Sequence, residues 1–338
     1  MAPGVSVVLC CYNSAQRLPR ALAHLAVQRV PKTLHWEVII VDNASDDKTR
    51  DVALETWNRV GAVPLRVVTE SRSGLAFARN RGLAEAKYDF VSFVDDDNWV
   101  CPEWVELVWD VMKSHPDVGA CGGFSEALCE VQPPKWFEDH KASYAIGPAS
   151  IKSGDITNSR GWLWGAGLSI RKSAWQHLVS NGFFPLLVGR QPGKLGSGDD
   201  TELCFALRLA GWRLWYEPRL RFQHFLSAQR LKWTYLRKLH RAFGTSTVGH
   251  DPYLFALRGL QALPRRRPLW AEELISVMKR IYGSKRSLLS WIGYFSQGNA
   301  KILEIDRDIG RLFELLHRRM RYDLSIREIQ RAGWRRIG

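Results

Sequence analysis

The first hundred residues alternate between continuously apolar runs and amphipathic stretches, and this alternation constrains the fold more than any other feature. The apolar runs lie at 5–12, 36–42, 65–70 and 89–95, and helical spacing recurs between them at 15–28, 43–60 and 74–86. Strands that are apolar throughout, rather than at every second residue, are buried on both faces. The pattern therefore predicts a parallel sheet covered by helices on both faces, with right-handed crossovers.

The pattern is looser after residue 100. We predict a helix at 102–115, a strand leading into a loop at 117–128, an irregular segment at 130–160, a strand and then a helix within 163–178, a helix at 199–211, and short strands at 213–218 and 220–225. Beyond residue 226 the spacing becomes helical, at 230–243, 270–283 and 304–322.

The net charge of +14 is unevenly distributed. Residues 1–224 hold 25 basic and 25 acidic side chains, whereas residues 225–338 hold 23 basic and 9 acidic ones. This asymmetry predicts a second functional region. Its helices could pack on the preceding domain with a solvated basic face, lie on an anionic membrane surface, or bind nucleic acid. No nucleic-acid-binding motif is present, so no nucleic acid is expected.

Features of targeting and redox state point to the cytoplasm. No basic and apolar leader precedes the strand that starts at Val5, so a cleaved signal peptide is not expected. No window holds 18 consecutive apolar residues, so no spanning helix is expected. The six cysteines have no CxxC spacing, and we expect buried, reduced thiols.

Acidic and polar residues follow the predicted strands. They are Tyr12 and Asn13, Asp42, Glu70, and the three aspartates 95–97. Ligands of open parallel sheets bind beyond these carboxyl ends. The turn after the first strand, "CCYNSAQR", has no glycine, so neither a P-loop nor a dinucleotide fingerprint is present.

A divalent cation held by the aspartates could neutralise a diphosphate instead, and it would remove their mutual repulsion. The alternative for such a cluster is a solvated loop and helix cap. A second acidic cluster, "GSGDDTEL" at 196–203, favours the cation, because a carboxylate there could accept a proton from a hydroxyl nucleophile.

Six motifs in order resemble glycosyltransferase family 2, which has the GT-A fold, over residues 5 to 225. They are "VSVVLCCYN", "VIIVDNASDDKT", "GLAFARNRGL", "FVDDDN", "WGAGLSIRKSAW" and "GDDTELCFALRLAGW". The resemblance implies a Rossmann-like, mostly parallel central sheet flanked by helices, followed by a basic helical C-terminal region. It implies a catalytic domain at 1–225, with a nucleotide-sugar half at about 1–100 and an acceptor half at about 101–225, and a C-terminal region at 226–338.

Carried over by position, the resemblance implies a donor nucleotide site. Asp42 would accept a hydrogen bond from the base, and Tyr12 would line that pocket. Arg79 would lie near the nucleotide and order the site. Asp95 would contact the ribose, and the segment "LWGAG" at 163–167 would pass beneath the donor sugar.

The resemblance also implies a metal and a base. Asp97 would ligate Mn²⁺ or Mg²⁺ on the diphosphate, and Asp96 would be structural. His224 would serve near the metal, although a lone histidine at a strand end can equally be structural. Asp200 would be the general base, and Asp199 stands where the family commonly has glutamate.

The implied function is an inverting, metal-dependent transfer of a sugar from a nucleoside diphosphate-sugar, first of all a UDP-sugar, to a hydroxyl group. The acceptor would be a saccharide or a lipid-linked saccharide in polysaccharide or glycoconjugate synthesis. Two alternatives stay open. A sugar nucleotidyltransferase would normally have a glycine-rich phosphate loop, which is missing, and a non-catalytic nucleotide-sugar-binding module would not hydrolyse its ligand. The implied location is the cytoplasm, with peripheral attachment to the membrane through 226–338 as an option.

Tryptophan is abundant, with fifteen copies. Aromatic rings can stack on sugars or close a core. We expect most of them in the core, with Trp136 and Trp162 as the exceptions that line the acceptor subsite.

Overall fold

The computed structural model describes residues 2–191, 193–260, 268–284, 291 and 297–336, and its centre is one large sheet. The strands of this described part are β1 (Ala2–Cys11), β2 (Trp36–Asp42), β3 (Leu65–Thr69), β4 (Tyr88–Phe93), β5 (Asn98–Val100), β6 (Val118–Cys129), β7 (Gly154–Asp155), β8 (Ser169–Arg171) and β9 (Arg213–Leu226). Their order is β3-β2-β1-β4-β8-β6-β9-β5, with β7 paired to β9.

The N-terminal half of the sheet is parallel, as the sequence predicts. β1 pairs in parallel with β2 and β4, and β2 pairs in parallel with β3. In this register Cys11 lies beside Asp42, which lies beside Thr69. The carboxyl ends of these strands therefore meet at one edge of the sheet.

The C-terminal half is mixed. β8 is antiparallel to both β4 and β6, while β6 and β9 are parallel. The three-residue strand β5, which no pattern predicted, runs antiparallel to β9 and places Asn98 opposite His224. This pairing brings the chain just after the three aspartates to the end of β9.

Helices cover both faces of the sheet. They are α1 (Leu18–Ala26), α2 (Thr49–Val60), α3 (Leu75–Glu85), α4 (Trp104–Ser114), α5 (Phe137–His140), α6 (Lys172–Ser180), α7 (Asp199–Leu209), α8 (Trp233–Leu257), α9 (Leu269–Gly283) and α10 (Ala300–Gln330). Val8 and Ile39 belong to the core on one face, whereas Val7 and Ile40 belong to the core on the other. Burial of both faces explains the continuous apolar runs.

Three predicted strands differ from the structure. The segment 163–167 is not a strand, because Gly167 adopts φ +70°, which a strand does not allow, and β8 begins only at Ser169. The two short strands predicted at 213–218 and 220–225 form one strand, β9. Its pairing with β6 skips from Tyr216 to Arg221, and this irregularity accommodates Pro218, which has no N–H to donate.

The C-terminal region is helical, as predicted. α8 and α10 pack closely, since a Cβ on Gly244 would lie 1.8 Å from the Arg307 carbonyl oxygen. Buried Asp306 accepts hydrogen bonds of 2.6 Å from both Arg237 and Arg241 and so ties α10 to α8. No helix in the described residues is long and apolar enough to cross a membrane. The basic sequence "LPRRRPLW" at 263–270 lies mostly outside the described residues.

Candidate active site

Asp42 and Tyr12 lie together at the edge where β1 and β2 end. Tyr12 directly follows Cys11, the register partner of Asp42, and its side chain is 39% exposed. The Asp42 carboxylate accepts a hydrogen bond from the Ser45 N–H at 3.3 Å. The structure thus places an exposed aromatic ring and a carboxylate at the same edge of the sheet, and their role as a nucleotide-base pocket stays a prediction.

Asn43 organises the same edge, and the sequence analysis missed it. Its side-chain N–H groups donate to the carbonyls of Glu70 at 3.0 Å and Arg72 at 2.7 Å, and its oxygen accepts from the Gly74 N–H at 2.9 Å. Asn43 is buried, so these bonds replace water. The loop after β3 is therefore fixed against the end of β2.

The three aspartates after β4 face different partners. Asp96 pairs with Arg17 at 2.7 Å, which agrees with a structural role. Asp97 pairs with Arg230 at 2.9 Å and lies 3.7 Å from His224 Nε2. Asp95 is partly buried, and its carboxylate interacts with the charge of Asp97. Arg17 and Arg230 therefore offset part of the repulsion within the run of three charges.

The pKa values of Asp95 and Asp97 shift in opposite directions. Burial raises the pKa of Asp95 to about 6, and the neighbouring Asp97 carboxylate adds to this rise. Burial also opposes ionisation of Asp97, but Arg230 and His224 outweigh it and hold the pKa of Asp97 well below its usual range. In this pair Asp97 holds the negative charge most firmly.

Arg79 joins the two acidic clusters. Its guanidinium contacts Asp199 at 2.5 Å, and both side chains are about nine-tenths buried. Its charge also acts on Asp95 and Asp200. Burial works against ionisation of this guanidinium, yet the three carboxylates raise the pKa of Arg79 above its ordinary value. The loop after β4 and the first turn of α7 therefore come together at Arg79.

Asp200 lies in the first turn of α7, which Gly198 opens with φ +89°. One Asp200 oxygen accepts from the Gly165 N–H at 2.6 Å, and the other accepts from the Thr201 N–H at 2.7 Å. A Cβ on Gly165 would lie 2.4 Å from Arg79 and 3.1 Å from Asp200, so only glycine fits there. The "LWGAG" segment is thus packed directly against the predicted base.

The loop at 183–191 lies along one side of the site, and no motif marked it. Its backbone N–H groups at Leu186 and Leu187 donate to buried Glu202 at 2.6 and 2.9 Å. The Arg190 carbonyl accepts from the Leu75 N–H at the start of α3. The positive charge of Arg190 reaches both aspartates 97 and 199.

Asp97 and His224 form a donor set that fits a divalent cation shared with a diphosphate. Both side chains are less than a tenth exposed, and His224 Nδ1 is buried with no hydrogen-bond partner in the described part of the chain. Among the described residues no three His, Cys, Asp or Glu side chains are close enough to hold a metal by themselves. Mg²⁺-type sites commonly combine one or two carboxylates with substrate phosphates. Arg230, which sequence reasoning also missed, already pairs with Asp97. A bound cation and Arg230 would therefore have to share the Asp97 carboxylate.

The two tryptophans singled out from the sequence differ. Trp136 is buried against Phe137, Tyr144 and Trp233, so it belongs to a core and the prediction that it lines an open subsite is wrong. Trp162 is partly exposed and packs by one side on the main core. Trp162 therefore remains available to a ligand.

Known sequences that match this chain are described as glycosyltransferases. The model of "Glycosyl transferase family 2" matches residues 6–175, half of the chain. TuaG of Bacillus subtilis, named for teichuronic acid biosynthesis, is 38% identical over 98 residues, which cover 29% of this chain and 37% of TuaG. Glycosyltransferase AglE of Haloferax volcanii is 30% identical over 104 residues, covering 31% of this chain and 34% of AglE. The matches span about a third of the length of these relatives.

Solved structures share the fold over nearly the whole chain. Residues 1–349 of S. aureus TarS in complex with UDP align with a TM-score of 0.52 at 16% identity, covering 97% of this chain and 90% of that chain. The complex of the same TarS region with UDP-GlcNAc aligns with the same values. This likeness confirms the predicted fold, including the helical C-terminal region.

Proposed function

The chain belongs to glycosyl transferase family 2, and from that premise we propose that it transfers a sugar from a UDP-sugar to a hydroxyl acceptor with inversion at the anomeric carbon. One observation carries the proposal. Arg79 binds Asp199, and a Cβ on Gly165 would lie 2.4 Å from Arg79 and 3.1 Å from Asp200, so the arginine expected near the donor and the candidate base lie side by side.

The donor occupies the edge formed by β1, β2 and β4. Asp42 accepts a hydrogen bond from the base, and the exposed ring of Tyr12 stacks beside it. Asp95 faces the ribose, and Arg79 keeps the carboxylates around the donor in place. The complexes of TarS with UDP and UDP-GlcNAc favour a uridine donor.

Asp97 and His224 are the residues that would hold Mn²⁺ or Mg²⁺ near the donor diphosphate. When bound, the cation neutralises the charge that grows on the leaving diphosphate. Arg230 already lies within 2.9 Å of Asp97. It supplies a further positive charge to the same end of the site.

Asp200 takes the proton of the acceptor hydroxyl. The Gly165 N–H fixes one of its oxygens, so the carboxylate has a defined orientation toward the cavity. The acceptor oxygen then attacks the anomeric carbon from the face opposite the leaving nucleoside diphosphate. One such displacement inverts the configuration.

A thermal-shift screen tests the donor, because a ligand that binds only the folded state raises the melting temperature. UDP and UDP-sugars with Mn²⁺ should raise it more than ADP or GDP do, and EDTA should remove the effect. Slow hydrolysis of a UDP-sugar with Mn²⁺ separates the enzyme from a pure binding module. Formation of a UDP-sugar from UTP and sugar 1-phosphate would instead identify a nucleotidyltransferase.

A specific surface favours a second role for the C-terminal region. Phe313, Leu316, Met320 and Leu324 are exposed at helical spacing on α10 and form an apolar stripe. Exposed basic side chains flank the stripe at His317, Arg319, Arg321 and Arg327. Apolar groups flanked by cations suit the surface of an anionic bilayer, where a lipid-linked acceptor would be delivered.

The cytoplasmic side of such a membrane is the proposed location. All six cysteines are free thiols. Burial raises the pKa of Cys10, Cys121 and Cys204 to about 12, so they are unreactive structural groups. Free cysteines are typical of reducing compartments.

A further inference from the structure

Arg160 is stacked on two tryptophans next to the proposed base. Its guanidinium carbon lies 3.8 Å from the ring centre of Trp162 and 4.0 Å from that of Trp164. The two indoles meet edge to face with centres 6.0 Å apart. Both pack by one side on the core and remain partly exposed, so the three side chains form a basic, aromatic surface.

Arg160 has no acidic partner within ion-pair distance in the described part of the chain. Its guanidinium reaches only the carbonyl oxygens of Pro148 and Ala149, at 3.5 and 3.4 Å, and its Nε is buried without a hydrogen bond. Burial lowers the pKa of Arg160 below its ordinary value. A guanidinium that is partly removed from water and left without an anion is costly unless a ligand supplies the anion.

Arg208, close to Arg160, also has a guanidinium with an unsatisfied donor. It donates to the Gly161 carbonyl at 3.2 Å, and its Nε too is buried without a partner among the described residues. A Cβ on Gly161 would lie 2.4 Å from the Arg208 guanidinium, so Arg208 is packed against the residue between Arg160 and Trp162. Two arginines with unsatisfied donors therefore lie beside one aromatic pair.

Helix α7 relates this cluster to the proposed base. Asp200, Cys204 and Arg208 are four residues apart and share one face of α7. At 1.5 Å per residue, Arg208 lies about 12 Å along the axis from Asp200. The charge of Arg160 interacts with both Cys204 and Asp200, and Gly165, next to Trp164, donates to Asp200. The cluster thus extends from Asp200 along α7.

We propose that Arg160, Trp162 and Trp164 form an acceptor subsite for a saccharide that carries a carboxylate or a phosphate, a role that rests on the proposed function. The exposed parts of the indoles contact the sugar, and Arg160 binds the anion with its planar donors while the rings hold its orientation. Arg208 reinforces the positive charge farther along the acceptor. The acceptor is therefore an anionic glycan rather than a neutral one.

Binding of defined oligosaccharides tests this subsite. The probes are a hyaluronan tetrasaccharide, its carboxyl-reduced neutral form, and a glycerol phosphate trimer, measured by calorimetry with UDP and Mn²⁺ present. The natural chain should bind at least one charged probe about tenfold or more tightly than the neutral one, in keeping with a charge-assisted hydrogen bond. The carboxylate and phosphate probes show which anion is used.

Variants show whether the preference for a charged probe comes from Arg160 or from the overall positive charge of the protein. Arg160→Gln should lose the preference for the charged probe, and Arg160→Lys should keep part of it. Arg59→Gln, an exposed arginine on α2, should keep all of it. The proposal is overturned if the natural chain shows no preference, or if Arg160→Gln keeps it, since Arg160 then only braces the two tryptophans.

The same samples report on the proposed function separately. Stabilisation by UDP and Mn²⁺ should persist in Arg160→Gln, because the donor site lies on the other side of Asp200. Loss of UDP binding in the natural chain would refute the donor assignment, whereas loss of the charge preference alone refutes only the acceptor subsite. A melting temperature within about 2 °C of the natural chain shows that each variant is folded, since a loss of 1 kcal/mol lowers it by roughly 1–2 °C in a chain this long.

Discussion

Arg79 on α3 and Asp199 at the start of α7 form a buried ion pair of 2.5 Å across the two halves of the sheet. The pair is the link between the acidic residues after β4 and those before α7. Its positions are 120 residues apart in the chain. This long-range contact, together with the bond from the Gly165 N–H to Asp200, holds the candidate active site in its geometry.

Arg79→Ala should destabilise the protein by about 3–5 kcal/mol, because Asp199 would keep a buried charge without a partner. Urea unfolding followed by tryptophan fluorescence measures this. Arg81→Ala is the matched control, since Arg81 forms an exposed pair with Glu85 on the same helix and should cost less than about 1 kcal/mol. Equal losses in the two variants would contradict the importance of the buried pair.

Asp200→Asn should keep donor binding and lose turnover by about 10²–10⁴-fold, the contribution typical of general acid–base catalysis. The asparagine oxygen can still accept from the Gly165 N–H, so the segment at 163–167 should stay in place. Donor binding is checked by thermal shift with UDP and Mn²⁺, and turnover by UDP release. Near-normal turnover would mean that another group takes the proton.

Asp97→Asn should remove the extra stabilisation that Mn²⁺ gives to the UDP complex, because an amide is a poorer ligand for a hard cation. Asp96→Asn is the control. It weakens the contact with Arg17 instead, so it should lower the melting temperature while leaving the Mn²⁺ dependence intact. If both variants respond to Mn²⁺ like the natural chain, the metal assignment is wrong.

Glu202 should make stability depend on pH. Burial raises the pKa of Glu202 to about 7 despite hydrogen bonds from Tyr253, Leu186 and Leu187. Between pH of about 4.5 and 7 the folded chain keeps a proton that the unfolded chain releases, so stability falls as pH rises, by about 3 kcal/mol at most. Below about pH 4.5 the protonated Glu202 causes no such loss of stability, and above about pH 7 the whole loss is present.

Glu202→Gln tests this dependence, because the amide does not titrate. The difference in unfolding free energy between the natural chain and the variant should change across pH 5–7 and be flat above it. Tyr253→Phe removes a hydrogen bond that favours the carboxylate, so the fall should extend to higher pH. A constant difference at every pH would contradict the raised pKa of Glu202.

The apolar stripe on α10 should bind anionic vesicles. Replacing Phe313 and Met320, which are 63% and 79% exposed, with glutamate should abolish sedimentation with phosphatidylserine vesicles at low salt and leave the melting temperature unchanged. Ile151→Glu, at a 98% exposed position far along the chain, is the control. Binding that survives the double substitution, or no binding by the natural chain, would refute the membrane role.

Local patterns predicted most of the sheet but little of what completes the site. The bounds of β2 follow directly from its apolar run, and the parallel order follows from burial on both faces. β5 was missed because three residues carry no periodicity, and only the pairing with β9 defines it. Motif order predicted Asp97 and Asp200. Arg230 and Asn43 were missed because their roles arise from contacts distant in sequence.

Strand β9 carries His224 and ends only four residues before Arg230, the cation that contacts Asp97. From there the chain passes directly into α8, whose Tyr253 shares a core with β1 and α7. Chimeras that exchange the tail of this protein for that of a relative at the end of β9 would thus also exchange the side chain that pairs with Asp97. A crossover after α8 would keep Arg230 with β9 but would part α8 from α10, whose Asp306 binds Arg237 and Arg241.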